Sequence, residues 1–249
     1  MPTSNTLADK VALVQGGSRG IGAAIVRRLA ADGASVAFTY VSSADKARAL
    51  QDDVIAAGGK ALAIQADSAD AEAVRQAVKA TAEAFGRIDI LINNAGVLAL
   101  GSVEDLALED FDRTLDINVR SVFVASQAVL PHMGAGGRII NIGSTNADRM
   151  PFAGGATYAM SKSALTGLVK GMARDLGRRE ITVNNVQPGP VDTDMNPADG
   201  DMAPGMLDLM ALDRYGTAQE IADFVAFIAS PQAGYITGAN LTIDGGFGA

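Results

Sequence analysis

Short runs of apolar residues alternate along the chain with segments in which apolar positions recur every three or four residues. The runs Val11–Val14, Ser35–Thr39, Ala61–Ile64, Ile88–Ile92, Arg138–Ile142, Thr182–Val186 and Leu241–Ile243 are too short for helices and read as seven strands. Several are almost continuously apolar, the pattern of a strand covered on both faces. Between them, Ile21, Ala24, Ile25 and Leu29 fall on one side of a helix. So do Leu165, Leu168, Val169 and Met172, and later Ile221, Phe224, Val225 and Ile228. Each set is one apolar stripe that needs a sheet to pack against.

Strands separated by helices pair in parallel through right-handed crossovers. The expected fold is therefore α/β, a Rossmann-type doubly wound parallel sheet of about seven strands with helices on both faces. No repeat or break in composition divides the chain, so one domain over 1–249 is expected. Segment 192–214 departs from the alternation and is rich in Asp, Pro, Gly and Met. It is expected to run over the surface as a substrate-binding lid. Within it, Met202, Met206 and Met210 recur every four residues, which predicts one face of a short helix. That face either lines a tolerant apolar pocket or packs on the body. Phe152 and Met150 are further candidates for the pocket wall.

Composition narrows the function classes. The 249 residues are 48% apolar and 19% charged, enough for a substantial core and unlike a disordered chain. The net charge is −8, and the only adjacent basic pairs are Arg27-Arg28 and Arg178-Arg179. A nucleic-acid partner, which needs a basic face, is not expected. The chain has no cysteine, which excludes disulfides and thiolate metal sites and fits a cytoplasmic address. Met1–Lys10 lacks the basic head and apolar core of a leader, and no apolar run is long enough to span a membrane. His132, the single histidine, follows Pro131 with no evident partner and is expected at the surface.

The first chemical signal is Gly16-Gly-Ser-Arg-Gly-Ile-Gly22, placed after the first strand and opening the first helix. Glycine allows the sharp turn and lets a pyrophosphate reach the backbone, and the helix start offers free N–H groups. Gly16, Ser18, Arg19, Gly20, Ile21 and Gly22 are thus expected to hold a dinucleotide. An acid at the end of the second strand would bind the ribose of NAD and repel a 2′-phosphate. Tyr40 stands there instead, followed by Ser42 and Ser43. With Arg19 in the loop, this favours NADP(H), with NAD(H) as the alternative.

These motifs continue in an order that resembles the short-chain dehydrogenase/reductase family along nearly the whole chain. Asp67 follows the third strand and Asn93-Asn-Ala-Gly96 the fourth. Asn118, Ser144, Tyr158-Ala-Met-Ser-Lys162 and Pro188-Gly-Pro-Val-Asp-Thr193 come next. A Tyr with Lys four positions on arises by chance in about one such chain in ten, so the order carries the resemblance. Gly143–Pro151 and the ending Thr242–Ala249 are similar to a bacterial subgroup near the 3-oxoacyl-carrier-protein reductases. Three departures stand out. Gln15 replaces the usual Thr, Ser68 replaces an apolar residue, and Ser144 lies fourteen residues before Tyr158. That spacing is one longer than in many members, and Thr145 fits the shorter one.

The resemblance implies a reductase of ketones, or oxidant of secondary alcohols, acting by hydride transfer without a metal. Tyr158 would be the general acid/base, Lys162 would lower its pKa and hold the nicotinamide ribose, and Ser144 would polarise the carbonyl. A neighbouring cation of this kind lowers a phenol pKa by about 1–3 units. Asn118 would hold a water that relays protons to Lys162; a helix cap is its other reading. Asp67 and Ser68 would hold the adenine, and Asn94, Ala95 and Gly96 would wall the adenosine ribose. Pro188, Gly189, Val191 and Thr193 would close on the nicotinamide, the last two gripping its carboxamide. A homotetramer or dimer is implied. So is a second reading, a non-catalytic regulator that senses NADP(H) or cyclic di-GMP.

Overall fold

A computed structural model describes residues 5–249. The start of the stretch read above for a leader, residues 1–4, lies outside the described residues. All seven expected strands form. They are β1 (Val11–Gln15), β2 (Ser35–Tyr40), β3 (Lys60–Gln65), β4 (Ile90–Asn93), β5 (Arg138–Ile142) and β6 (Thr182–Pro188), with Asn240–Ile243 last. Two further strands, β7 (Val191–Asp192) and β8 (Gly216–Thr217), pair only with each other, so the last is β9. The main sheet runs β3-β2-β1-β4-β5-β6-β9, parallel throughout. The order reverses between β1 and β4, the place where open α/β sheets bind ligands.

The helices are α1 (Gly20–Ala31), α2 (Ala44–Ala56), α3 (Ala71–Phe85), α4 (Leu108–Leu115), α5 (Ser121–Val129), α6 (Ala156–Leu176), α7 (Ala203–Leu207) and α8 (Ala218–Ala229). Local chemistry sets several ends. Asp70 caps α3 by accepting from the N–H groups of Glu72 and Ala73, and Gly86 ends it at φ 83°. Thr217 and Glu220 form a reciprocal capping box on α8.

The period-3.6 stripes close on both faces of the sheet. Ile25 and Leu29 of α1 pack with Ile221 and Val225 of α8 over Val14 and Ile92. Val74 and Val78 of α3, Val124 of α5 and Val169 of α6 cover Leu13, Leu91 and Ile139 on the other side. Burying each such side chain stabilises the fold by about 1.5–3 kcal/mol. These two layers hold the strand ends rigid, and the functional residues project from those ends.

One polar row interrupts this core. Gln15, Asn93, Asn141, Asn185 and Asn240 occupy matching register positions on five adjacent strands. Gln15 Nε2 donates to Asn93 Oδ1 at 2.8 Å, and Asn93 Nδ2 donates to Asn141 Oδ1 at 2.8 Å. Asn185 Nδ2 donates to Asn240 Oδ1 at 2.9 Å. The row lies just below the residues of the cleft. Gln15 is thereby seated sideways in the sheet, and Thr39 Oγ1 takes up the Gly16 N–H at 2.9 Å.

The excursion over 192–214 is less helical than its methionine spacing predicts. Only the five residues of α7 form a helix. Met206 lies in it and Met202 just before it, but Met210 falls beyond its end and packs against Gly245. Pro204 near its start and Gly205 within it keep the helix short. His132 is exposed, in a short turn at the end of α5.

Candidate active site

The carboxyl ends of β1, β2, β4, β5 and β6 surround one cavity of about 500 Å³. Its floor is the turn from β1 into α1. Gly16 there has φ 68° and Gly20 φ 54°, conformations that glycine adopts without strain. A Cβ on Gly22 would lie 2.1 Å from the Gly16 carbonyl oxygen and 2.6 Å from Asn94 Nδ2. Asn94 Nδ2 in turn donates to the Gly16 carbonyl at 2.8 Å. The turn is thus locked against β4 and leaves main-chain N–H groups at the start of α1 facing the cavity. This is a cradle that suits a pyrophosphate.

Every residue expected to hold the cofactor lines this cavity, from the glycine loop through Tyr40, Ser42, Ser43, Asp67 and Ser68 to Pro188, Gly189, Val191 and Thr193. Asp67 also accepts from the Ala69 N–H at 2.9 Å, which fixes the turn after β3. Arg19 is exposed in the cavity lining, which also contains Tyr40, Ser42 and Ser43, and its charge acts on Asp194. The residues present therefore fit a phosphorylated dinucleotide: a glycine cradle at one point, a cation with hydroxyls at another, and no acid at the end of β2.

At the other end, β5 delivers Ser144 and α6 delivers Tyr158 and Lys162. The Ser144 hydroxyl lies close enough to the Tyr158 phenol to lower its pKa. Ser144 Oγ also accepts from the Asn146 N–H at 3.1 Å. The structure brings Ser144, and not Thr145, to Tyr158. Thr145 is buried and turned away, donating to the Pro188 carbonyl at 3.2 Å.

Lys162 Nζ lies 5.7 Å from the centroid of the Tyr158 ring and donates to the Ile142 carbonyl at 2.9 Å. Burial lowers its pKa to about 8. Tyr158 behaves differently from the sequence expectation. Burial raises its pKa above the usual phenol value, and the Ser144 hydrogen bond only partly opposes this. The lysine is close enough to feel the ring, but its ammonium is tied to a carbonyl, so removal from water dominates.

Asn118 sits behind the cavity and not in its wall. It lies in a π-helical turn, Asp116–Arg120, between α4 and α5, and does not cap a helix. Its Oδ1 accepts from the Val97 N–H at 2.9 Å, and its Nδ2 donates to the Val97 carbonyl at 3.0 Å and to Ser161 Oγ at 3.0 Å. Both amide N–H bonds are used. A water held by this residue would be met by its main chain or by the remaining lone pair of Oδ1.

Sequence reasoning missed several groups here. Asn146 lines the cavity beside Ser144, and Leu98, Met195 and Phe247 join Phe152, Met202 and Met206 in an apolar wall. Met150 is not in that wall. It packs against Gly155 at the start of α6, and its sulfur accepts from Asn146 Nδ2 at 3.2 Å. At the mouth, Lys46 of α2 pairs with Asp194 at 3.0 Å, so an ion pair joins the two sides of the cleft. Lys46 and Asp194 carry no local signal, because each reads as a solvated surface charge. No cluster of His, Asp or Glu suited to a metal ion occurs among the described residues. No helix among them is long and apolar enough to cross a membrane.

Comparison with known proteins identifies the family and the fold. The family model described as enoyl-(acyl carrier protein) reductase matches residues 16–248. A short-chain dehydrogenase/reductase from Serratia marcescens BCRC 10948 is 67% identical, with TM-score 0.97 over 98% of this chain and 100% of that one. A short chain dehydrogenase from Burkholderia cenocepacia J2315, solved in complex with NADP, is 57% identical, with TM-score 0.97 over 98% and 100%. The cyclic-di-GMP-binding biofilm dispersal mediator protein of Escherichia coli K12 is 50% identical over 240 residues, 96% of this chain and 98% of that protein.

Proposed function

The chain belongs to the short-chain dehydrogenase/reductase family, and from that premise we propose that it is an NADP(H)-dependent reductase of ketones. The observation that carries this reading is the Ser144–Tyr158–Lys162 set at one end of the cavity that holds the glycine cradle. The Burkholderia relative solved with NADP supports the choice of cofactor. Arg19, Ser42 and Ser43 would hold the 2′-phosphate, and the N–H groups of the glycine turn the pyrophosphate. Bound NADPH would supply the hydride.

The protein's own part is to orient the carbonyl and manage one proton. The Ser144 hydroxyl accepts from the Asn146 N–H, and its own proton would turn from the Tyr158 oxygen to the carbonyl oxygen when substrate binds. Tyr158 gives its proton to that oxygen as negative charge develops there. Burial holds the Tyr158 pKa above the ordinary phenol value, so the phenol meets the substrate protonated, as reduction requires. Lys162 offers a positive charge to the phenolate that results. Asn118 fastens α6, through Ser161, to the strand-end loop at Val97. Segment 192–214, which brings Met202 and Met206 to the cavity, would act as the lid.

The test is to incubate the protein with NADPH and acyl, cyclic and aryl ketones while following NADPH absorbance. Turnover is expected, and Tyr158→Phe should abolish it while NADPH binding persists. No turnover on any ketone, with NADPH bound, would overturn the reading. The Escherichia coli relative favours a second one, a regulator that binds cyclic di-GMP in the same cleft. Calorimetry with cyclic di-GMP, with and without saturating NADPH, separates the two. We also place the chain in a homotetramer or dimer. Phe123 on α5 and Met160 on α6 are exposed apolar groups that such an assembly would cover. Light scattering on the purified protein checks it.

A further inference from the structure

The half of the cavity beyond Ser144 and Tyr158 is walled by Leu98, Phe152, Met202, Met206 and Phe247. One side chain there, Asn146, does not match that apolar character. A neutral amide offers two N–H donors and an acceptor oxygen. Asn146 uses a single donor, on the sulfur of Met150, which is a weak acceptor. No protein group bonds its Oδ1 among the described residues. Its main-chain N–H meanwhile holds Ser144 Oγ at 3.1 Å. The amide is therefore fixed beside the hydroxyl that receives the carbonyl, with hydrogen-bonding capacity left over. Asn146 is half-buried, so a ligand that closes the cavity over its amide without pairing it is disfavoured, and the site discriminates against such ligands.

We propose that Asn146 is a specificity-determining residue that selects ketones carrying a second polar group on the carbon next to the carbonyl. The proximity sets the position of that group. The amide branches from the same residue whose N–H touches Ser144 Oγ, so it reaches atoms adjacent to the bound carbonyl. More distant parts of a substrate lie among Phe152, Met202 and Met206. The favoured class is an α-hydroxy or α-oxo ketone with an apolar remainder. This inference rests on the reductase reading above.

The test compares α-hydroxyacetophenone with propiophenone, which differ by a hydroxyl in place of a methyl. Asn146→Leu keeps the side-chain size and the main-chain N–H that braces Ser144. The ratio of kcat/KM for the hydroxy ketone over propiophenone is expected to fall about tenfold in this variant, the loss of one hydrogen bond to the bound substrate. Asn146→Ala should lower the same ratio and guards against a packing fault peculiar to leucine. A fall in kcat/KM that is equal for both ketones would mean that Asn146 only supports the loop, and would overturn the inference while leaving the reductase reading intact. An unchanged ratio would do the same. Absence of turnover on both ketones by the unmodified, NADPH-binding protein would overturn this inference, and the reductase reading falls with it only if acyl and cyclic ketones also go unreduced.

Discussion

Replacing Gln15 with leucine tests whether the buried amide row supports the cofactor cradle. Gln15 is 2% exposed, and its Nε2 bonds Asn93 Oδ1 at 2.8 Å. Leucine has a similar volume, so little cavity term arises. What is lost is one buried hydrogen bond, and Asn93 Oδ1 is left without its donor. An orphaned buried acceptor of this kind destabilises by about 1–3 kcal/mol. For a domain of this size, that lowers Tm by about 2–4 °C per kcal/mol, so a fall of about 2–12 °C is expected. Asn93→Leu should be worse, because Asn93 also donates to Asn141 Oδ1. The double variant separates the pair from its surroundings. With both amides gone, neither is orphaned by the other, and a coupling of about 1–2 kcal/mol is expected. The assay is urea unfolding at fixed protein concentration, with NADPH affinity measured on the same samples. Because Gln15 immediately precedes Gly16, affinity should weaken with stability. A Gln15→Leu protein as stable as the parent, or strictly additive effects in the double variant, would refute the reasoning.

Other expectations bear on the site itself. Gly22→Ala places a methyl 2.1 Å from the Gly16 carbonyl, a backbone atom that cannot yield without moving the turn, so NADPH affinity should drop at least about tenfold; equal affinity in a fluorescence titration would rule this out. Lys162 titrates at about 8 and is charged below that value, so the reduction rate should decline as pH rises through about 8. Tyr158, raised by burial, stays protonated across that range and should not limit it. A rate flat from pH ~7 to ~9.5 would contradict both statements. Arg19→Ala should weaken NADPH more than NADH, by about tenfold in the ratio of their Kd values; equal losses would remove Arg19 from the 2′-phosphate site.

Much of the architecture was legible because it is written in local patterns. Apolar runs marked the seven strands of the main sheet, and period-3.6 stripes marked α1, α6 and α8. The glycine turn was readable for the same reason, since Gly16 and Gly20 are needed where φ is positive. The methionine spacing misled. Period alone ignores Pro204 and Gly205, so Met210 fell outside the short α7. The strands β7 and β8 left no signal, because two-residue pairs depend on where the flanking chain is held.

The chemistry divides along the same line. By itself the sequence determined which residue types are available and in what order, from the glycine turn through Ser144 and Tyr158 to Pro188. Tertiary structure decided what each can do. It chose Ser144 over Thr145, since only packing shows which hydroxyl faces the cavity. It committed both N–H bonds of Asn118 and left Asn146 with capacity to spare. It also reversed the expected shift of Tyr158, because desolvation depends on everything packed around the ring, whereas the Tyr-to-Lys spacing reports only one neighbour. Gln15 joins the two levels. Its identity is local, but its role exists only through its register with Asn93, seventy-eight residues away in the chain and one strand away in the sheet.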